Sequence, residues 1–168
     1  MTAPSTPSET MLAHLRSAYI VAPILLSITT KESPGFVYAY DENNISQRVL
    51  LAFGDNSGEK FWKRCLVVND KLWRTFPDTS PLSYQSRDPH KPAYGQPLEI
   101  PCIGQWGGAA FMGSGVFGGI SGLTEAEDEA GALAITAYAR GNWEFPHLTL
   151  RDEVAKLLLQ IKRLIPTT

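Results

Sequence analysis

The strongest constraint on the fold is a glycine-rich stretch from Trp106 to Ala130, WGGAAFMGSGVFGGISGLTEAEDEA, which holds seven of the chain's 14 glycines. Glycine inside a strand lets a helix or a ligand approach the backbone closely, so residues 115–120 are predicted to form a thin strand. Thr124 and Glu127 follow with capping-box spacing, which predicts a helix from Thr124. The positions Ala126, Ala130, Leu133, Ala134 and Ala137 would give that helix a narrow face, suited to close packing on a sheet.

The same stretch contains G-x-G-x-x-G at Gly113, Gly115 and Gly118. A dinucleotide loop would lead from a strand directly into a helix whose free N–H groups meet the pyrophosphate. Here the helix starts later and opens with four acidic residues, and no Walker lysine is present. We therefore interpret the glycines as structural and expect no nucleotide site.

The remaining elements predict an α+β fold in a single domain spanning residues 1–168. Thr6, Pro7 and Glu9 form another capping box, for a first helix expected to end at Pro23. Residues 24–28 fit either a short strand or a helix end. Residues 36–40 and 48–53 predict a hairpin. A last helix is expected near Thr149, with buried positions Val154, Leu157, Leu158, Ile161 and Ile165.

A second helix is predicted after Asn56-Ser57. Its apolar positions are interpreted as one buried face: Trp62, Cys65, Leu66, Leu72, Trp73 and Phe76. Its other side carries a basic stripe, defined as Lys60, Lys63, Arg64, Lys71 and Arg74. Such a stripe is usually a solvated face, and the functional alternative is docking of an anionic ligand or partner.

Residues 77–97 hold five of the 12 prolines and form either a covering loop over a site or a disordered segment. Residues 98–102 predict a strand near a sheet edge. The proline-rich segment gathers the groups best suited to acid/base catalysis, with His90 as the leading candidate: Tyr84, Arg87, Asp88, His90 and Tyr94. His14 is expected at the solvated edge of the first helix, and His147 at the surface.

Four large side chains around the glycines could line an apolar pocket or belong to the ordinary core: Trp106, Phe111, Met112 and Phe117. Ser121 lies at the end of the predicted strand and is the polar candidate for ligand contact. Its surroundings depart from the G-x-S-x-G nucleophile elbow, because Leu123 replaces the last glycine. No histidine pair has zinc-site spacing, so no metal site is expected.

Composition limits the partners. A net charge of −2 gives no support for binding to nucleic acid or to an anionic membrane. No apolar run approaches the ~18 residues of a membrane span, and the first residues lack the pattern of a signal peptide. Cys65 and Cys102 form no C-x-x-C motif and fit buried free thiols. We therefore expect a cytoplasmic protein.

One family resemblance fits these residues. Gly107-Gly108, the glycine-rich strand and the residues SGLTEAED from Ser121 to Asp128 resemble the C-terminal signature of the HbpS/GlcG-like haem-degrading-domain family. The hairpin, Gly54-Asp55-Asn56 and Trp62 are also similar to an element of its uncharacterised branch. The resemblance covers residues 36–138. It implies a profilin-like antiparallel sheet of about five strands flanked by helices, commonly oligomeric and linked to haem or corrinoid binding.

Three functions follow as hypotheses. The leading one is a protein of this type that binds a small, largely apolar organic ligand, with haem as one candidate and the cofactor otherwise unknown. The second is a cofactor-independent isomerase, cyclase or lyase of small-molecule metabolism that uses the same pocket. The third is an oligomeric scaffold whose basic stripe binds an acidic partner. A homo-oligomer is expected in general.

Overall fold

One antiparallel sheet carries helices on both faces in the computed structural model, which describes residues 7–42, 48–75, 82–83, 107–111 and 116–166. Its elements in chain order are α1 (Glu9–Ile28), β1 (Gly35–Asp41), β2 (Arg48–Gly54), α2 (Gly58–Trp73), β3 (Ala109–Phe111), β4 (Phe117–Ser121), α3 (Glu125–Arg140) and α4 (Asp152–Leu164). The α+β class and the predicted hairpin are confirmed.

The strand order is β2-β1-β4-β3, with every neighbouring pair antiparallel. The central strand β1 is buried along its whole length. Leu82 adds an isolated bridge to Ala110 of the short strand β3. The sheet therefore has four strands within the described residues. The predicted strand at 98–102 lies outside them, and the fifth strand and the profilin-like topology stay predictions.

The two faces of the sheet bury separate cores because side chains alternate along each strand. Phe36, Tyr38 and Tyr40 of β1 enter the larger core, which α1, α3 and α4 cover. Val37 and Ala39 enter a smaller core under α2.

Strand β4 is thin, as predicted, because its glycines have no side chains, and a helix packs closely against each of its two faces. A Cβ added to Gly118 would lie 3.0 Å from the Thr136 hydroxyl oxygen of α3. A Cβ added to Gly119 would lie 3.1 Å from Val68 of α2. The glycines therefore let two helices approach one strand from opposite sides, which confirms the structural interpretation of this part of the glycine-rich stretch.

Helix α1 differs from the prediction at both ends. Its N-cap is Ser8, whose hydroxyl accepts from the backbone N–H of Met11, and not Thr6. The helix also continues through Pro23 to Ile28, so the expectation that proline ends it was wrong. Proline removes one intrahelical hydrogen bond. Pro23 is exposed, so water can reach the Tyr19 carbonyl left without that donor.

By length and composition alone, α1 is also apolar enough to cross a membrane. One side of α1 is buried, since Ala18, Val21, Ala22 and Leu25 belong to the larger core and α1 packs on α3, and 33% of the apolar stretch is buried in all.

Helix α3 starts as predicted. Thr124 and Glu127 form the capping box, and Gly141 ends the helix in the left-handed conformation. The Glu127 carboxylate also accepts from the Thr29 hydroxyl and the Thr30 N–H at 2.8 and 2.9 Å. This carboxylate therefore joins the end of α1 to the start of α3. Burial opposes its charge, but these donors together hold the pKa of Glu127 below its ordinary value.

Helix α4 begins at Asp152, three residues after the predicted start near Thr149. Val154, Leu158 and Ile161 are buried as predicted, whereas Leu157 and Ile165 are half-buried against the larger core. Lys162 and Arg163 lie in the last turn, where cations favour the negative helix end.

His14 is buried, so its expected solvated position was wrong. Its ring stacks on Tyr40 with 4.2 Å between centroids, and Nδ1 lies 2.9 Å from the Thr10 carbonyl oxygen. A carbonyl only accepts, so Nδ1 carries a proton and donates to Thr10. Burial lowers the pKa of His14, while Thr10 and Glu42 raise it and Arg140 lowers it.

We expect His14 to make the fold sensitive to mild acid. The unfolded chain takes up a proton near pH 6.5 and the folded chain resists it, so stability falls as pH drops below 6.5. The loss from this group is at most about 1.4 kcal/mol per pH unit. Urea unfolding at pH 7.5 and 5.5 should show a smaller difference for His14→Phe than for the wild type. The exposed His147, changed to Phe, is the control. An equal acid loss in His14→Phe would contradict a role for this ring.

Candidate functional site

A cleft of about 530 Å³ opens between α2 and the junction of β4 with α3. This volume is within the range of small-molecule sites. The cleft is lined by residues from α2, from the end of β4, from the start of α3 and from the segment after α1: Lys31, Lys60, Lys63, Arg64, Val67, Lys71, Ser121, Gly122, Leu123, Thr124, Glu125 and Asp128.

Ser121 forms part of the floor of the cleft. It is the last residue of β4 and alternates with Phe117 and Gly119, so its side chain lies on the α2 face of the sheet. Only 5% of the residue is exposed, and the residue lines the cleft, so its hydroxyl can donate to or accept from a bound molecule.

Lys71 and Asp128 form a buried ion pair at the inner end of the cleft. Lys71 Nζ lies 2.7 Å from Asp128 Oδ2 and 2.8 Å from the Ile120 carbonyl oxygen, and Lys71 is 1% exposed. Lys71 was predicted on a solvated stripe, and that assignment was wrong. It sits opposite Asp128 because α2 and the start of α3 meet at the end of β4, and an unpaired charge could not be buried there.

Asp128 also accepts from the backbone N–H of Leu123 at 3.0 Å. Burial raises the pKa of its carboxyl, while Lys71 and the N–H groups of Leu123 and Gly122 lower it. The carboxylate thus fixes the turn between β4 and α3 as well as Lys71.

Four further cations stand around the mouth of the cleft: Lys31, Lys60, Lys63 and Arg64. Lys60 pairs with Asp55 at 2.9 Å, and Lys63 pairs with Glu59 one helical turn away. The Arg64 guanidinium donates to the Asp55 carbonyl at 2.7 Å and to the Asn56 side-chain oxygen at 2.5 Å. The mouth of the cleft therefore carries four cationic side chains, and three of them, Lys60, Lys63 and Arg64, also bind acceptors of the chain itself.

Three carboxylates at the start of α3 accept from backbone N–H groups of residues that precede the helix. Asp128 accepts from Leu123, and Glu127 accepts from the N–H of Thr124 at 2.9 Å. Glu125 accepts from the N–H of Gly107 at 2.7 Å and pairs with Arg151. These three carboxylates therefore tie the start of α3 to the end of β4 and to the segment before β3.

The structure brings one of the predicted site residues, Ser121, to the cleft. Phe111 and Phe117 stack on each other with 4.7 Å between centroids in and beside the smaller core, so they pack α2 and do not line this cleft. Trp106 and Met112 lie outside the described residues. So does the whole predicted catalytic set: Tyr84, Arg87, Asp88, His90 and Tyr94.

Sequence reasoning missed Lys31 and Asp128 as site residues and misplaced Lys71. The available signal was the spacing of Arg64, Val67 and Lys71, which puts three residues on one flank of α2. Cys65 is a buried free thiol under α2, as predicted, and burial raises its pKa. Within the described ranges, no group of three or more His, Cys, Asp or Glu side chains is placed to hold a metal ion.

Comparison of the chain with protein-family models, with curated proteins and with solved structures gives no match. The geometry of the cleft is therefore the basis for a functional proposal.

Gly122 determines where Arg64 lies, and this can be tested. Gly122 has φ +126°, and an added Cβ would lie 2.5 Å from Arg64 Nε and 2.5 Å from the Gly35 carbonyl oxygen. We expect Gly122→Ala to lower the free energy of unfolding by about 1–3 kcal/mol, through backbone strain and displacement of Arg64. Gly58→Ala is the matched control, because its Cβ would meet nothing within 4 Å. Equal urea midpoints for the two variants would refute this role.

Proposed function

We propose that the protein binds a small organic molecule with an anionic group and an apolar part, in the cleft between α2 and the β4–α3 junction. The observation that carries the proposal is the charge of the lining. Five cationic and two acidic side chains line the cleft, although the whole chain has a net charge of −2. Concentrated positive charge in a concave site favours an anion there.

The other lining groups support an organic anion over a bare inorganic one. Val67 and Leu123 form an apolar part of the cleft wall, and the Ser121 hydroxyl lies on its floor. Small-molecule sites typically combine such an apolar lining with a few polar groups that fix orientation. A carboxylate or a phosphate could be bound by the Lys31, Lys63 and Arg64 side chains while its carbon skeleton lies toward Val67.

The proposal keeps the ligand-binding hypothesis and changes the location of the site and the chemistry of the ligand. Membership of the HbpS/GlcG-like family remains part of the proposal, supported by the fact that the Ser121-Gly122-Leu123 motif lies at the cleft floor. Haem remains a candidate ligand through its propionates. Neither His14 nor His147 lines the cleft, so an axial ligand would have to come from elsewhere, with His90 the prediction.

The scaffold hypothesis has less support. It expects the basic stripe to bind an acidic partner, but Lys71 is buried and Lys60, Lys63 and Arg64 border a cleft. A concave lining is better suited to a small molecule than to the surface of a partner protein.

The binding proposal is tested with charged ligands and their neutral analogues. Benzoate, hexanoate and phenyl phosphate, with benzamide and hexanamide as neutral counterparts, would be titrated into ¹⁵N-labelled protein. We expect the anions to perturb backbone signals of the cleft residues and the amides to bind more weakly. Lys31→Gln with Lys63→Gln should weaken benzoate binding ~10-fold, which corresponds to about 1.4 kcal/mol. Ser121→Ala should weaken it by about 0.5–1.5 kcal/mol.

Matched controls separate site binding from general charge effects. Lys156→Gln with Arg163→Gln removes the same charge from exposed positions on α4, and Ser33→Ala removes an exposed hydroxyl. Equal weakening by the control pair, or benzamide binding as tightly as benzoate, would rule out the proposed site. Haemin forms a separate arm, in which a Soret shift abolished by His90→Ala would add haem to the ligands. An unchanged free-haemin spectrum would remove haem alone.

An acid/base enzyme is the second candidate, favoured by the Lys71–Asp128 pair and Ser121 at the cleft floor. An isomerase, cyclase or lyase without a cofactor needs proton donors and acceptors beside an apolar wall.

That candidate predicts proton exchange on a bound, enolisable ligand. A 2-oxo acid captured by the cleft would exchange its C3 hydrogens with D₂O faster in the presence of the wild type than with Ser121→Ala or with the double variant Lys71→Met with Asp128→Leu, as followed by ¹H NMR. Exchange at the rate of free ligand would leave binding as the sole proposed function.

A further inference from the structure

Lys71 and Asp128 are the two buried charged side chains among the residues that line the cleft. Lys71 Nζ lies 2.7 Å from Asp128 Oδ2, a contact short enough for a proton to pass directly between them. An ion pair that only joined α2 to α3 would need no contact with the cleft, yet both side chains line it. A titratable pair buried at a concave site is a candidate for chemistry at that site.

The amine of a lysine becomes a nucleophile toward a carbonyl carbon once it has lost a proton. Asp128 is placed to accept that proton. Burial raises the pKa of the Asp128 carboxyl, while Lys71 and the N–H groups of Leu123 and Gly122 lower it, and the pKa stays above its ordinary value. Transfer of the proton replaces two buried charges with a neutral amine and a neutral acid, a form that burial favours.

The neighbouring cations define where the acidic end of a ligand would lie. Arg64 Nε lies beside Gly122, where an added Cβ would be 2.5 Å away, and Lys71 Nζ lies 2.8 Å from the Ile120 carbonyl oxygen. The Cα atoms of residues 120 and 122 are at most about 7 Å apart. A carboxylate at Arg64 and a carbonyl group at Lys71 can therefore belong to one short molecule, with its carbon chain beside Val67.

We propose that Lys71 forms a Schiff base with the carbonyl carbon of an oxo acid, an organic acid that carries a ketone or aldehyde group. The inference rests on the proposed binding of an organic anion in this cleft and names the class of that anion. Lysine is the side chain that proteins use for this chemistry. An oxo acid also suits the mixed lining, because its carboxylate would meet the cations at the mouth and its carbon chain would meet Val67 and Leu123.

The protons and electrons of this step balance within the pair. Lys71 gives one proton to Asp128, and its nitrogen lone pair then forms the bond to the carbonyl carbon. The carbonyl oxygen takes a second proton from the nitrogen and leaves as water with the proton that Asp128 held. The product is a cationic imine beside the Asp128 carboxylate, so opposite charges are again paired where they are buried. That carboxylate can then remove a proton from the carbon next to the imine, and the electron pair of the broken C–H bond moves toward the imine nitrogen.

Borohydride trapping on the wild-type protein tests the proposal directly. Pyruvate, 4-methyl-2-oxopentanoate and 4-oxopentanoate would each be incubated with the full chain before sodium borohydride is added, which reduces an imine to a stable amine. We expect the intact mass to rise by the mass of the acid less one oxygen atom. Peptide mapping should place the adduct on Lys71, with a yield about tenfold or more above that on any other lysine. Benzoate, which would occupy the same cleft, should lower that yield.

Lys71→Arg is the variant for this test, because arginine keeps a positive charge beside Asp128 and its guanidinium is always protonated. It should lose the adduct while benzoate still perturbs the signals of the cleft residues. Lys156→Arg, at an exposed position of α4, is the matched control and should keep the adduct. Circular dichroism establishes that both variants are folded, and the peptide map of the wild type decides the question if Lys71→Arg is not.

The outcomes separate this inference from the proposed function. Oxo acids that bind in the cleft without an adduct would overturn the Schiff base and leave anion binding in place. Adducts spread equally over Lys31, Lys60, Lys63 and Lys71, or an adduct that Lys71→Arg retains, would overturn it as well. If neither benzoate nor any of the oxo acids perturbs the cleft residues, the proposed function and this inference are both wrong.

Discussion

The buried ion pair of Lys71 and Asp128 is the interaction on which the candidate site depends. It joins α2 to the start of α3, and its other hydrogen bonds reach the Ile120 carbonyl and the Leu123 N–H at the end of β4. Removing one partner of such a pair typically costs about 3–5 kcal/mol, because the other charge is left buried and unpaired. Three elements are therefore held in one arrangement. The cleft between them is formed before any ligand arrives, which lowers the entropy cost of binding.

The glycines make this arrangement sterically possible. A Cβ on Gly108 would lie 2.5 Å from Asp128 Cβ and 2.9 Å from Lys71 Nζ, and a Cβ on Gly122 would lie 2.5 Å from Arg64 Nε. Both positions also have positive φ, which favours glycine. The space in the glycine-rich stretch is thus used by charged side chains and by helices α2 and α3. This is a different use of glycine from a phosphate loop, where backbone N–H groups face the ligand.

Sequence patterns within single elements predicted much of the fold. The features that they did not predict depend on contacts between residues distant in sequence. The hairpin, the thin strand and the Thr124 capping box each depend on residues within one element or turn, so their patterns are readable in the chain. The burial of Lys71 depends on Asp128, 57 residues away, and the burial of His14 depends on stacking against Tyr40 of β1. Hydrophobic periodicity contains no information about either partner. It therefore assigned both side chains to solvent.

The surfaces of helix α2 explain why the sequence analysis placed the site elsewhere. That analysis gave the helix only two sides. A basic side and an apolar side predict one solvated and one buried face, but this helix has three surfaces. Cys65, Val68 and Leu72 face the sheet, the flank of Lys71 borders the cleft, and the flank of Trp62 remains apolar and exposed. A helix alone on one face of a sheet has two free flanks, and each can take its own chemistry.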